Sequence, residues 1–204
     1  PRSTLLPYAT LFRSLSYASS RDEELKLNGD LMVAELAKCQ AQHEDRYLSA
    51  FPQKLFHLLR DGVNVWAPFY TVHKIMAGHL DMYTHTGNEQ ALETVEGMAR
   101  WVRSWTDPLS EQQMQRVLLV EYGGMGEVLA NLYGVTGKRE YLNLARRFDK
   151  KWFFDPLAAH RDELKGLHVN THVAQVIAAA RLFERTGDTC HWNIAQYFWN
   201  EVPT

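Results

Sequence analysis

Apolar positions at three- and four-residue spacing recur along the chain in paired blocks, and each pair is hinged on one short phrase. Tyr83-x-x-Thr86-Gly87 is followed by Tyr133-x-x-Thr136-Gly137 and by Phe183-x-x-Thr186-Gly187, so the three glycines are 50 residues apart. A fixed period of this length marks a repeat architecture. The block before each glycine is apolar over most of its circumference, as in IMAGHLDMY, EVLANLY and VIAAARLF. A helix of that kind is covered on both sides. The block after each glycine carries a narrower stripe, with Val95, Ala145 and Ala195 at one register and Met98, Phe148 and Phe198 three residues on. The spacing therefore predicts αα-hairpins, each an inner helix turning at glycine into an outer one. Stacked hairpins of this type build an open solenoid or a closed α/α toroid.

The predicted helices span 23–41, 53–60, 70–85, 89–105, 110–119, 125–135, 139–152, 171–185 and 189–201. In the first, Leu25, Met32, Leu36 and Cys39 form the apolar side, which makes Cys39 a core residue. Each glycine suits the left-handed position that ends a helix, and Asn88 suits the cap of the helix that follows Gly87. Pro156 and Gly166 predict a long loop from Phe154 to Val169. Nothing predicts a strand. Tyr17-x-x-Ser20-Arg21 occupies the place of a degraded hinge, so the repeat text begins near Leu15. Residues 1–14, PRSTLLPYATLFRS, have two prolines and no helical period, resemble translated sequencing-adapter read-through, and receive no function. The chain stops at Pro203-Thr204, where another loop is expected to begin.

A net charge of −2 on 204 residues gives no basic footprint for nucleic acid. No apolar run approaches the ~18 residues that a membrane span requires, and no signal peptide is visible at the start. Two cysteines, Cys39 and Cys190, make neither a disulfide framework nor a metal cluster, and His43, His57, His85, His160 and His191 lack metal-ligand spacing. Six Trp, nine Tyr and nine Phe supply flat faces for packing or for stacking on sugars.

Equivalent offsets in a repeat lie at the same end of the assembly. About 14 to 17 residues before the glycines stand Tyr70 and His73 with Lys74, then Glu121, Tyr122 and Gly123 with Gly124, then Asn170 and His172 with His168. Polar, aromatic and glycine residues thus collect where inner helices begin and present free N–H donors, as a pocket mouth does. Singly, each has a plain structural role available: a cap, a turn glycine, a solvated charge, a core ring. Their joint placement favours a binding rim. Glu127 reads as structural, and no pair of carboxylates placed for glycoside hydrolysis can be assigned.

Longer blocks carry a resemblance. YLSAFP (47–52), VWAPFYTVHKIMAG (65–78), EYGGMGEVLANLY (121–133) and DPLAAHRDELKGLHVNTH (155–172), with the repeated Thr-Gly turns, resemble the β-L-arabinofuranosidase family, glycoside hydrolase family 127 and its relative 146. The resemblance covers 15–204 and implies an all-α (α/α)6 barrel catalytic domain, truncated here to about four of its six αα-hairpins, with marginal stability as a consequence. It implies retaining removal of terminal β-L-arabinofuranosyl groups from plant-type glycans and a carbohydrate partner; a periplasmic or extracellular location is compatible with the family, and the sequence leaves the location open. It also implies a zinc-bound cysteine nucleophile and a glutamate acid/base. Those catalytic motifs are expected beyond Thr204, so no catalytic or metal residue is assigned within the chain and the fragment alone is expected to be inactive. By position, His73 and His172 look like sugar-contacting histidines, Gly123, Gly124 and Met125 like the turn beside the pocket, and Trp66, Tyr70 and Asn170 like further substrate contacts. Gly126 departs from the family, whose members often carry a larger polar residue there. Two other readings are an unsaturated glucuronyl hydrolase or sugar 2-epimerase on the same fold, and a non-catalytic helical-repeat scaffold.

Overall fold

The computed structural model describes residues 9–202, which are helical with no strand among them. The elements are α1 (Ala9–Ser20), α2 (Glu23–Ala41), α3 (Gln53–Arg60), α4 (Pro68–Thr86), α5 (Glu89–Thr106), α6 (Glu111–Val117), α7 (Met125–Thr136), α8 (Arg139–Arg146), α9 (Lys151–Ala158), α10 (Val169–Thr186) and α11 (Thr189–Glu201). They fall into two compact units, Pro1–Gln53 with Thr71–Asp107, and Lys54–Tyr70 with Pro108–Thr204. Residues 1–8 and 203–204 lie outside the described residues.

All three hinges adopt one geometry. Gly87, Gly137 and Gly187 have φ of 73°, 70° and 69°. Their N–H groups donate to the carbonyls of Tyr83, Tyr133 and Phe183 at 2.9, 2.7 and 2.8 Å. The preceding threonine hydroxyls close the same turns onto the carbonyls of Met82, Leu132 and Leu182. A Cβ at any of the three glycines would meet nothing within 4 Å, so the left-handed backbone alone favours glycine there. The outer-helix stripe is buried as the register predicts at Val95, Met98, Ala145, Phe148 and Phe198, with Ala195 partly buried against the last cluster.

In the first unit, α1 packs on α2 and α2 on α5. The α2 register differs from the predicted one. Cys39 is exposed and Gln40 takes the buried position beside it. Gln40 sits where its Nε2 donates to the carbonyls of Thr94 and Arg46 at 2.9 and 3.1 Å, and Gly97 leaves room for its amide. A buried amide with its hydrogen bonds made outcompetes a small thiol for that place. Tyr47, from the YLSAFP block, is buried with its ring 4.7 Å from Trp101, and its hydroxyl donates to the carbonyl of Phe51. Helix also extends into the supposedly aperiodic start, because α1 begins at Ala9, beyond Pro7.

In the second unit, α7 lies between α8 and α10, and α10 packs in turn on α11. Inner helices α7 and α10 thus meet directly while each also contacts its own outer helix. Gly126 allows that approach, since a Cβ there would lie 3.0 Å from the Cβ of Ala178 on α10. The outer helix predicted over 139–152 breaks after Arg146, and the predicted loop after Phe154 opens as α9. Pro156 lies inside α9, where it removes the helical bond to the carbonyl of Trp152. Phe153, Phe154 and Leu157 of α9 are buried with Val176, Ile194 and Phe198, which outweighs the loss of one helical bond.

Candidate functional site

Within the second unit, the site begins with the end of α3. Gly62 has φ 86° and donates to the carbonyl of Leu59, while Val63 donates back to that of Leu58, a Schellman closure. The chain then runs to Ala67, whose φ of 60° is left-handed although it has a side chain; such a residue costs about 1 kcal/mol. Pro68 starts α4 at once, its fixed φ suiting the first helical position. Phe69 anchors this bend, with its ring 5.1 Å from Phe56 and 5.4 Å from Phe148. Between these fixed points Trp66 stands 79% exposed.

Trp66 borders a cavity of about 470 Å³ that is also lined by Asn64, Arg116, Glu121 and Thr171. The Glu121 carboxylate is held on both oxygens. Oε1 accepts from the N–H of Gly123 at 3.1 Å, and Oε2 accepts from the hydroxyl of Thr171 at 2.6 Å. Gly123, with φ 59°, takes the left-handed backbone that glycine adopts at least cost. Gly124 then caps α7 without a side chain, and Met125, the first helical residue, points into the core with no exposed surface. The turn Gly123-Gly124-Met125 therefore shapes the site through its backbone, and Met125 is packing beneath it.

His172, the residue after Thr171, is 6% exposed. Its Nδ1 lies 2.8 Å from the carbonyl oxygen of His168. A carbonyl only accepts, so the proton of neutral His172 sits on Nδ1 and Nε2 is left as an acceptor. That Nε2 is buried without a partner. Burial pushes the His172 pKa below its ordinary value, the bond to His168 and the charge of Glu121 oppose this, and Lys150 reinforces it. The rings of Phe153 and Trp152 meet the imidazole at 4.5 and 5.7 Å. Tyr122 is likewise buried with an unpartnered hydroxyl, and burial raises its pKa well above the usual tyrosine range.

The structure thus brings Trp66, Gly123 and Gly124 into one region with Thr171 and His172. Asn170 is exposed on the first turn of α10, and Tyr70 is half-buried near the start of α4. His73 belongs to the first unit and differs from expectation. It is the sixth residue of α4, counted from Pro68, because the proline starts the helix earlier than the pattern suggested. Its backbone is therefore interior, and burial followed by the nearby Lys74 charge lowers its pKa to about 3. Thr171 and Lys150 were not singled out by sequence. Thr171 carried a signal, since it occupies the repeat position of Glu121 one period on.

Comparison with protein families gives one decisive match: the model described as beta-L-arabinofuranosidase, GH127 catalytic domain, matches residues 12–204. The chain belongs to this family. It is thereby a glycoside-hydrolase catalytic-domain chain of arabinofuranosidase type, with carbohydrate as its substrate class. That membership sets aside the glucuronyl hydrolase and epimerase readings. No curated protein matches the chain. No described helix is long and apolar enough to cross a membrane.

The zinc expected from the resemblance has no donor set among the described residues. Among the described residues, no group of three or more His, Cys, Asp or Glu side chains could hold a metal ion. Cys39 and Cys190 are exposed in separate units. Burial, then the charges of Asp188, Asp149 and Asp155, raises the Cys190 thiol above its ordinary value, the opposite of what activates a nucleophile.

Proposed function

We propose that this chain supplies part of the sugar-binding wall of a retaining β-L-arabinofuranosidase acting on terminal β-L-arabinofuranosyl groups of plant-type glycans. The observation that carries the reading is the Glu121–Thr171 bond in the lining of a cavity that exposed Trp66 also borders. A furanosyl group presents hydroxyls as donors and acceptors and a weakly apolar ring face. Glu121 and His172 offer acceptors, Asn64 and Arg116 offer donors, and Trp66 offers a face. His73, Tyr70 and Asn170 remain candidates for sugar contact, as does the backbone of Gly123, Gly124 and Met125.

No residue of the chain is assigned the catalytic step. The zinc-bound cysteine and the acid/base glutamate of the family mechanism are part of this proposal, and no step is derived through the metal. Release of L-arabinose from p-nitrophenyl β-L-arabinofuranoside by the complete protein tests the reading. Activity should exceed that on the α-anomer, and His172→Ala should weaken substrate affinity. Binding of arabinoside unaffected by His172→Ala would favour a scaffold role for this segment.

A further inference from the structure

At the other end of α7 and α10 from Glu121 and Thr171, the hinge turns frame a second cavity, of about 440 Å³. One face of α8 forms a wall of it. Arg139, Asn143 and Arg146 recur there at the four- and three-residue spacing that places side chains on one side of a helix. Arg185 and Thr186 from the last turn of α10 and Tyr133 from that of α7 complete the lining. Three guanidiniums thus share a space that no described carboxylate lines, in a chain whose net charge is −2. Asp188 holds Arg146, with Nη2 3.3 Å from Oδ2. Among the described residues, no carboxylate pairs with Arg139 or Arg185. Arg185 is seated against Gly134 of α7, where a Cβ would come within 2.6 Å of its Cζ and 2.7 Å of its Nε. Glycine at an exposed interior position weakens a helix relative to alanine. What Gly134 provides in return is room for that guanidinium.

We propose that this cavity is an oxyanion subsite, separate from the Trp66 cavity, that takes the carboxylate of an acidic sugar residue in a glycan ligand. Arginine has a plain role at one of the three positions, since a cation in the last turn of α10 offsets that helix's dipole. Arg139 has no such role. It is the first residue of α8, where the dipole opposes a cation, so an anion in the cavity is what its charge would serve. Guanidinium forks match the two oxygens of a carboxylate and those of a phosphate equally well. The neutral lining favours a sugar as the carrier: Tyr133 has a ring face and a hydroxyl, and Asn143 has both a donor and an acceptor. The volume lies in the range of small-molecule sites. The uronate source rests on the carbohydrate reading; the oxyanion site does not.

Calorimetric titration of the complete protein at low salt with digalacturonate, its uncharged dimethyl ester and inorganic phosphate is the test. Digalacturonate should bind saturably, and the ester about tenfold or more weakly, because it lacks the charged oxygens. Arg139→Gln and Arg185→Gln should each lower digalacturonate affinity about fivefold or more. Both arginines are exposed, so these variants should fold, and their affinity for methyl β-L-arabinofuranoside should equal that of the parent. Gly134→Ala should also weaken digalacturonate binding, since it displaces the Arg185 guanidinium without altering the net charge. Digalacturonate and phosphate both failing to bind overturns the proposal. Binding undiminished in both arginine variants, or at full strength in Gly134→Ala, overturns it as well, because the anion would then be held elsewhere or by diffuse charge. Phosphate bound in preference to digalacturonate supports the oxyanion site and refutes the sugar source. An anion bound through these arginines in a protein that takes no arabinoside supports the site and refutes the arabinofuranosidase reading instead.

Discussion

The hydroxyl of Thr171 donates to Oε2 of Glu121 at 2.6 Å, and the two residues are 50 positions apart, one full period of the repeat. The bond therefore joins equivalent points of successive hairpins, the first turn of α10 to the loop before α7. A double-mutant cycle with Thr171→Val and Glu121→Ala, measured by urea denaturation, should return a coupling of about 1–2 kcal/mol, as for a hydrogen bond to a charged group. Additive effects of the two changes would mean that the contact does not hold the hairpins together.

The hinge glycines separate backbone preference from packing. Gly137→Ala should cost about 1 kcal/mol, since φ is positive and no neighbour is near. Gly137→Asn should cost less, because asparagine tolerates the left-handed region. Gly126→Ala tests the other case, a Cβ pressed to 3.0 Å against Ala178. Urea midpoints of the three variants check this order: Asn least harmful at 137, Ala harmful at both sites.

Acid should weaken the first unit through two buried histidines. His79 is fully buried, and although its Nδ1 donates to the carbonyl of Ile75, burial lowers its pKa to about 4. His73 is lowered to about 3 by burial and by Lys74. Both values lie below the unfolded one of about 6.5, so the unfolded chain takes up protons first. Stability is then retained above pH 6.5 and lost as the pH falls toward 4 and 3. Thermal melts from pH 7.5 to 4.5 should show this decline, with a shallower slope in His79→Leu.

His191 works in the opposite direction in the second unit. Burial alone would lower its pKa, but Asp149 at 3.0 Å and Asp188 at 3.4 Å hold it above the ordinary value. A raised pKa contributes stability that is complete below pH 6.5 and is lost as the pH rises through the folded value. Asp149, raised chiefly by its own burial, has the same sign but acts from lower pH, starting at its unfolded value of 3.8. Melting temperatures of the protein should therefore fall as the pH rises above 6.5, and His191→Phe should flatten that limb.

The hinges were legible because three copies of one phrase in one register leave little freedom, and Gly87, Gly137 and Gly187 adopt one turn. The two ends of α2 were legible too, while its register was not. Cys39 and Gln40 differ by one position, and periodicity cannot show that Gln40 finds two carbonyl acceptors inside. Helix α9 was hidden by Pro156, whose cost is offset by the burial of Phe153, Phe154 and Leu157, a tertiary fact. At the candidate site, the repeat offset singled out Glu121, which lines the cavity, while Thr171 one period on was passed over. The burial of Lys150 rather than Lys151 in an Asp-Lys-Lys run depends on which of them faces the Trp152 and Tyr122 rings.

Trp66 allows binding to be separated from stability. At 79% exposure it contributes little to the core, so Trp66→Ala should leave the urea midpoint within about 0.5 kcal/mol of the parent. Loss of a stacking face should still weaken arabinoside binding by up to about tenfold. An equal loss of stability would show that the ring is structural.

Calorimetric titration of the protein with methyl β-L-arabinofuranoside, with and without Glu121→Gln, tests the account most directly. The account predicts saturable binding in the parent and a loss of about tenfold or more in the variant, which removes the charged acceptor at the cavity edge. Unchanged affinity in a folded Glu121→Gln protein would contradict it.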